Sequence, residues 1–169
     1  MKKDFLYCMY CKNSKKCTAG LENCNAFDSK ELSENFSLWE FVKSDKHPDL
    51  ISLPDKDIIA NLKAFCRLVM QPMRNELGAI QITSGYRSKK LNRAVKGTKN
   101  SAHIDGLAAD FRPLKADIFI AAKWIAEYIP FTCLIIYPEE NRLHIDIKIT
   151  DKPKRVLEKI KGGYKVWIS

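Results

Sequence analysis

Two imidazoles and a carboxylate are spaced so that they could share one divalent cation. His103 and Asp110 bracket the run His103-Ile104-Asp105-Gly106-Leu107-Ala108-Ala109-Asp110, and His144 follows much later in Leu143-His144-Ile145-Asp146. Catalytic zinc is commonly held by three nitrogen or oxygen side chains, which leaves a fourth position where water becomes acidic enough to attack a carbonyl near neutral pH. Two His and one Asp fit that pattern, so the residues point to a zinc hydrolase. The chain has 3 histidines, and the third, His47, precedes Pro48 in a polar stretch that reads as an exposed loop. The competing reading is a pair of separate, hydrogen-bonded histidines. Spacing alone leaves both readings open.

Around these residues, Ser84-Gly85-Tyr86-Arg87-Ser88, Leu91-Asn92 and Ser101-x-His103-x-x-Gly106-x-Ala108-x-Asp110 follow in order within one short segment. In this run, and in the earlier Leu32-Ser33-Glu34-Asn35-Phe36-x-x-x-Glu40-Phe41, the chain resembles the zinc D-alanyl-D-alanine carboxypeptidase and dipeptidase superfamily. That superfamily also contains phage L-alanyl-D-glutamate endolysins and the zinc-bearing signalling domain of hedgehog proteins. The resemblance runs from Leu32 to the C-terminus. It implies that His103, Asp110 and His144 are the metal ligands, and that Arg87 lies beside the cleft to hold a substrate carbonyl or carboxylate. A planar guanidinium suits that role, since it grips a carboxylate through two parallel hydrogen bonds and stabilises charge developing on an attacked amide. Tyr86 reads as a packing residue.

The pattern breaks at one place. Many members of the superfamily carry Glu or Asp three residues before the last ligand histidine, where it takes a proton from the attacking water; here that position is Asn141. An amide cannot accept and return a proton as a carboxylate does. Three carboxylates are candidates to replace it. Glu139 and Glu140 lie in the turn-like Tyr137-Pro138-Glu139-Glu140-Asn141-Arg142, where the bland reading is a pair of solvated turn acids. Asp146 is the first choice, because residues two apart on a strand project to the same face and would place it beside His144. The Tyr-Pro and His-x-Asp arrangement also resembles a branch of the superfamily linked to cleavage of peptidoglycan cross-links. Asp105 is a candidate to orient the His103 ring.

The elements that must carry these residues follow from periodicity. Ser37 to Val42 reads as a short helix with an N-cap serine. Pro54 opens a long amphipathic helix over Asp55 to Leu77, with Ile58, Ile59, Leu62, Phe65, Cys66, Val69 and Met73 at three- and four-residue steps, Pro72 as a kink and Gly78 as the stop. Ala79 to Thr83 is a strand delivering Arg87, and Lys89 to Val95 a short helix on one wall of the cleft. A strand runs into Asp110-Phe111 after a turn at Gly106. Asp117 to Tyr128 is a helix, Thr132 to Tyr137 and Arg142 to Ile147 are paired antiparallel strands, and Lys165 to Ser169 adds an edge strand. The expected fold is α+β: a small antiparallel sheet with helices packed on one face and the zinc cleft on the other.

Length bounds the organisation to one cored domain, residues 31–169, with a cysteine-rich segment, residues 1–30, in front of it: 169 residues at 46% hydrophobic are too few for two ordinary domains. Cys8, Cys11, Cys17 and Cys24 form a cluster that reads as a zinc knuckle with a second, structural Zn²⁺, two disulfides being the alternative. Cys66 and Cys133 sit in apolar runs and read as core thiols. No stretch approaches the roughly 18 to 20 apolar residues that span a bilayer, and Met1 to Phe5 leads into no signal-peptide run, so cytoplasmic synthesis is expected, with release at lysis or carriage in a virion. The net charge of +9 favours anionic partners, among which peptidoglycan peptides and anionic wall polymers suit the metal site better than nucleic acid. The leading expectation is a zinc-dependent peptidase acting on peptidoglycan stem peptides or cross-links, of phage or prophage type. The alternative is an inactive zinc-binding module for wall binding or assembly.

Overall fold

Strand alternation divides the sheet of this protein into a dry face and a wet one. The computed structural model describes residues 31–149 and 154–168, and the Cys8, Cys11, Cys17 and Cys24 cluster lies outside them. A short hairpin of β1 (Glu31–Ser33) and β2 (Phe36–Ser37) leads straight into α1 (Leu38–Val42). There the Glu40 carboxylate accepts from the Ser37 N–H at 2.8 Å and from its hydroxyl at 3.0 Å, which ties down the first turn.

The long amphipathic run forms as a helix in three parts. Asp55 caps α2 (Lys56–Phe65) by accepting from the Ile58 N–H at 2.9 Å. A π-helical turn over Cys66–Met70 follows, and then α3 (Gln71–Leu77). Pro72 lacks an N–H, and its ring crowds the carbonyl one turn back, so the wider turn just before it accommodates both defects. Gly78 ends the helix with a positive φ of 77°. The remaining elements are β3 (Ile80–Ser84), α4 (Lys89–Ala94), β4 (Ala108–Pro113), α5 (Ile118–Tyr128), β5 (Cys133–Tyr137), β6 (Arg142–Asp146), β7 (Arg155–Ile160) and β8 (Gly163–Ile168).

Six of the strands form one sheet in the order β3-β4-β6-β5-β7-β8. All neighbours are antiparallel except β5 and β7, which run parallel because the chain leaves β6 and returns on the far side of β5. The expected α+β architecture is present. The strand β7 is an addition to the expected elements, and of its side chains Val156 is buried.

The dry face carries Ile82, Ala109, Phe111, Leu134, Ile136, Leu143 and Ile145, which join Leu62, Phe65, Val69 and Met73 of the broken helix and Ala121, Ala122 and Ile125 of α5 in one apolar cluster. Each fully buried large side chain there contributes about 1.5–3 kcal/mol relative to exposure. Among the described residues no helix is long and apolar enough to cross a membrane. The packing of the broken helix sets a test. Phe65→Ala is expected to cost about 3–5 kcal/mol in urea unfolding, whereas Leu68→Ala, on the 60% exposed side of the π turn, should stay within about 0.5 kcal/mol.

Candidate metal centre

The wet face of the sheet brings the sequence-distant residues into register. Ser84 of β3 stands opposite Asp110 of β4, Asp110 opposite His144 of β6, and His144 opposite Ile135 of β5. Directly opposed residues have Cβ atoms about 4.5–5.5 Å apart, so this one row makes Asp110 and His144 neighbours although 34 residues separate them. The next row in one direction contains Arg112 and Arg142, and the next in the other contains Asp146 opposite Cys133.

His103 reaches the row from the loop before β4, and several contacts hold that loop. The Arg87 N–H donates to the His103 carbonyl at 3.0 Å, and the Leu107 N–H closes the turn onto the Ala102 carbonyl at 3.0 Å. The side chain of buried Asn92 donates to the Thr98 carbonyl at 2.9 Å and pins the preceding loop. Gly106 has φ +69°, and a Cβ there would sit 3.1 Å from the Ile58 carbonyl oxygen. Gly85 packs so tightly on α1 that a Cβ would lie 2.6 Å from the Phe41 carbonyl oxygen. The glycines of the two motifs are thus needed for backbone shape and close packing.

One donor atom from each of His103, Asp110 and His144 lies within 4.8 Å of the others. His103 Nε2 is 3.6 Å and His144 Nδ1 2.9 Å from Asp110 Oδ1. The far nitrogen of each ring is engaged elsewhere: His103 Nδ1–H donates to the Gly85 carbonyl at 2.6 Å, and His144 Nε2 lies 3.3 Å from Asp146 Oδ2. A metal-ligating imidazole typically has this arrangement, with its second nitrogen donating to a carbonyl or carboxylate that sets tautomer and ring orientation. The donor set therefore fits a zinc-type ion through His103 Nε2, Asp110 Oδ1 and His144 Nδ1.

Electrostatics set the three groups apart: Asp110 is ionised and His103 neutral, as metal ligation requires, whereas His144 has to give up a proton to ligate. Burial pushes the Asp110 carboxyl up, but the imidazoles of His103 and His144 outweigh it and hold the group well below the usual carboxylate range. Burial keeps His103 below its ordinary value despite Asp110. His144 also loses hydration, yet its hydrogen bonds to Asp110 and Asp146 raise it to about 9. Two arginines share the same carboxylate: Arg87 Nη2 lies 2.5 Å from Asp110 Oδ2, and Arg142 Nη1 3.2 Å from Oδ1. Arg87 Nε is anchored on Ser84 Oγ at 2.8 Å. Arg142 is clamped between the Tyr137 ring, 3.8 Å from its centroid, and the Glu140 carboxylate at 2.9 Å.

The carboxylates considered as replacements for Asn141 are placed differently from one another. Asp146 lines the groove beside His144. Glu140 also lines it, but its carboxylate is tied to Arg142, which lowers its pKa. Glu139 is exposed in the 3₁₀ turn Pro138–Glu140, and Asn141 follows with φ 46°. Asp105 does not orient His103: it pairs with Lys148 at 2.6 Å, because the His103 Nδ1–H is already taken by Gly85. Tyr86 is half-buried and packs against the apolar cluster. Arg142 joins the site without belonging to any of the motifs, although alternation along β6 puts 142, 144 and 146 on one face.

The three ligand residues, Arg87, Arg142, Glu140 and Asp146 line a groove of about 1050 Å³. A family model described as Peptidase M15 matches residues 23–146. No curated protein matches the chain. The ring contact of Asp146 generates a test. Asp146→Asn is expected to weaken zinc binding by about 10- to 100-fold in competition with a chelating dye, while Glu139→Gln binds zinc as the unaltered chain does.

Proposed function

Because the chain belongs to the Peptidase M15 family, we propose that it is a zinc-dependent peptidase that hydrolyses an amide bond in peptidoglycan stem peptides or cross-links. The observation that carries this reading is the convergence of His103 Nε2, Asp110 Oδ1 and His144 Nδ1 within a groove large enough for a peptide. When bound by these three atoms, zinc supplies Lewis acidity toward a carbonyl oxygen and toward water.

The chain's own residues account for the rest of the chemistry. Arg87 and Arg142 pair with the Asp110 carboxylate and orient it. Both also line the groove, where a guanidinium can steady the oxygen of an amide under attack. Asp146 serves as the proton acceptor: Oδ2 faces His144 Nε2, and Oδ1 has no hydrogen-bond partner among the described residues. Glu140 is a poorer base, since Arg142 stabilises its charged form. The excess of cationic side chains along the groove attracts the carboxylates of stem peptides and of anionic wall polymers. Release at lysis or carriage in a phage particle is the setting in which such an enzyme meets its substrate.

A second reading has one specific observation behind it. Asn141 stands where a carboxylate base is expected, in an exposed left-handed turn, as it would in a zinc-holding module that binds wall without cutting it. Zinc-loaded protein incubated with muropeptides separates the two readings. New peptide termini in mass spectra, lost in His103→Ala, support the peptidase. With Asp146→Asn, kcat should fall by about 10²- to 10⁴-fold, with Glu139→Gln near the starting rate. Intact muropeptides alongside persistent wall binding would establish the module instead.

A further inference from the structure

The groove carries more positive charge than its own acids neutralise, and the surplus is arranged on both sides of the ligand row. Eight of its lining residues are Lys or Arg and four are Asp or Glu. Three of the acids are engaged: Asp110 by two arginines, Glu140 by Arg142, and Asp146 by His144. The fourth, Asp45, is exposed at the rim.

Two half-buried arginines, Arg112 and Arg155, stand out among the cations that line the groove. Arg112 is two residues beyond Asp110 on β4, hence on the same face and about 7 Å along the strand. Its Nε donates to the Glu140 backbone carbonyl at 3.1 Å. Arg155 opens β7 opposite Cys133, which in turn stands opposite Asp146, one row to the other side of the ligands. Its Nε lies 3.4 Å from Cys133 Sγ. Each guanidinium is thus anchored at Nε, and neither forms an ion pair among the described residues. An anchored fork loses less freedom when it grips a carboxylate than a lysine does.

We propose that Arg112 and Arg155 read carboxylates on opposite flanks of the ligand row. The groove then selects a stem-peptide segment with a free carboxylate on each side of the scissile amide over the same segment carrying carboxamides. This deepens the peptidase reading and rests on it. The charge rows differ in their neighbours, with the Tyr137 and Tyr164 rings on the Arg112 side and Thr132 and Lys148 on the Arg155 side, so the two flanks have distinct shapes as well as matching charge.

The test uses four synthetic peptides: L-Ala-γ-D-Glu-L-Lys-D-Ala-D-Ala, its glutamyl carboxamide, its C-terminal carboxamide, and the doubly amidated form. Their affinities are measured by calorimetry in the slow Asp146→Asn background, with zinc in enough excess to fill that variant's weakened site, and kcat/KM in the unaltered chain. Each amidation is expected to weaken binding by about threefold to tenfold. Arg112→Gln should erase the preference at one carboxylate and Arg155→Gln at the other, with the doubly amidated peptide bound as before; the corresponding Lys substitutions should keep part of each preference. Equal affinity for all four peptides overturns the proposal, as does a uniform weakening of all four by either Gln variant. The peptide panel decides the charge preference without any arginine substitution. Cleavage of all four at equal kcat/KM would leave the peptidase standing and remove this inference. Graded binding with no cleavage by the unaltered chain would remove the peptidase reading and leave a groove that selects carboxylates without cutting.

Discussion

Burial of the Asp110 carboxylate is the constraint around which the wet face is organised. A lone ionised carboxylate withdrawn from water costs several kcal/mol, so it persists only with compensating partners. Here two imidazoles and two guanidiniums converge on its two oxygens. Those four side chains come from a β3–α4 turn, the loop before β4, and strand β6. The two imidazoles among them complete with the carboxylate a donor set able to take a cation, while the guanidiniums hold the carboxylate in place.

That agreement depends on backbone details at some distance from the carboxylate. Gly85 lets the strand end touch Phe41 and aims its carbonyl at His103 Nδ1. Gly106 lets the ligand loop turn against Ile58 and Leu62, and Asn92 holds the loop that precedes it. On the other histidine, Asp146 performs the ring-fixing task that the Gly85 carbonyl performs for His103. The two rings therefore present opposite nitrogens, Nε2 and Nδ1, to the same oxygen. Membership of the Peptidase M15 family agrees with a site built in this way.

Much of this was readable from residue type and spacing, and the exceptions have physical reasons. Period-2 alternation in Arg142 to Asp146 and helical spacing from Ile58 to Met73 mark the strand and the helix, because each buries one face. Strand β7 carries no clear periodicity because its alternation is interrupted by charge: Val156 is buried, whereas Lys159 and Ile160 are exposed. Pro72 signals a disturbance in the helix, but only the folded chain shows that it takes the form of a wider turn over Cys66–Met70. Asp105 illustrates a limit of proximity in sequence: two residues from His103, it faces Lys148 instead, since a loop has no fixed periodicity to say where a side chain points.

By itself the sequence determined the kinds of chemistry available: two histidines and an aspartate of ligand type, motif glycines, an apolar periodicity sufficient for an α+β core, and a surplus of positive charge. Those follow from composition and local geometry, which a linear chain carries intact. Tertiary structure alone decided which nitrogen of each ring faces Asp110, that Arg142 joins Arg87 on that carboxylate, and that Arg112 and Arg155 lie on opposite sides of it. Such facts arise from strand register between segments tens of residues apart, and register is set by how the whole dry face packs rather than by any one segment.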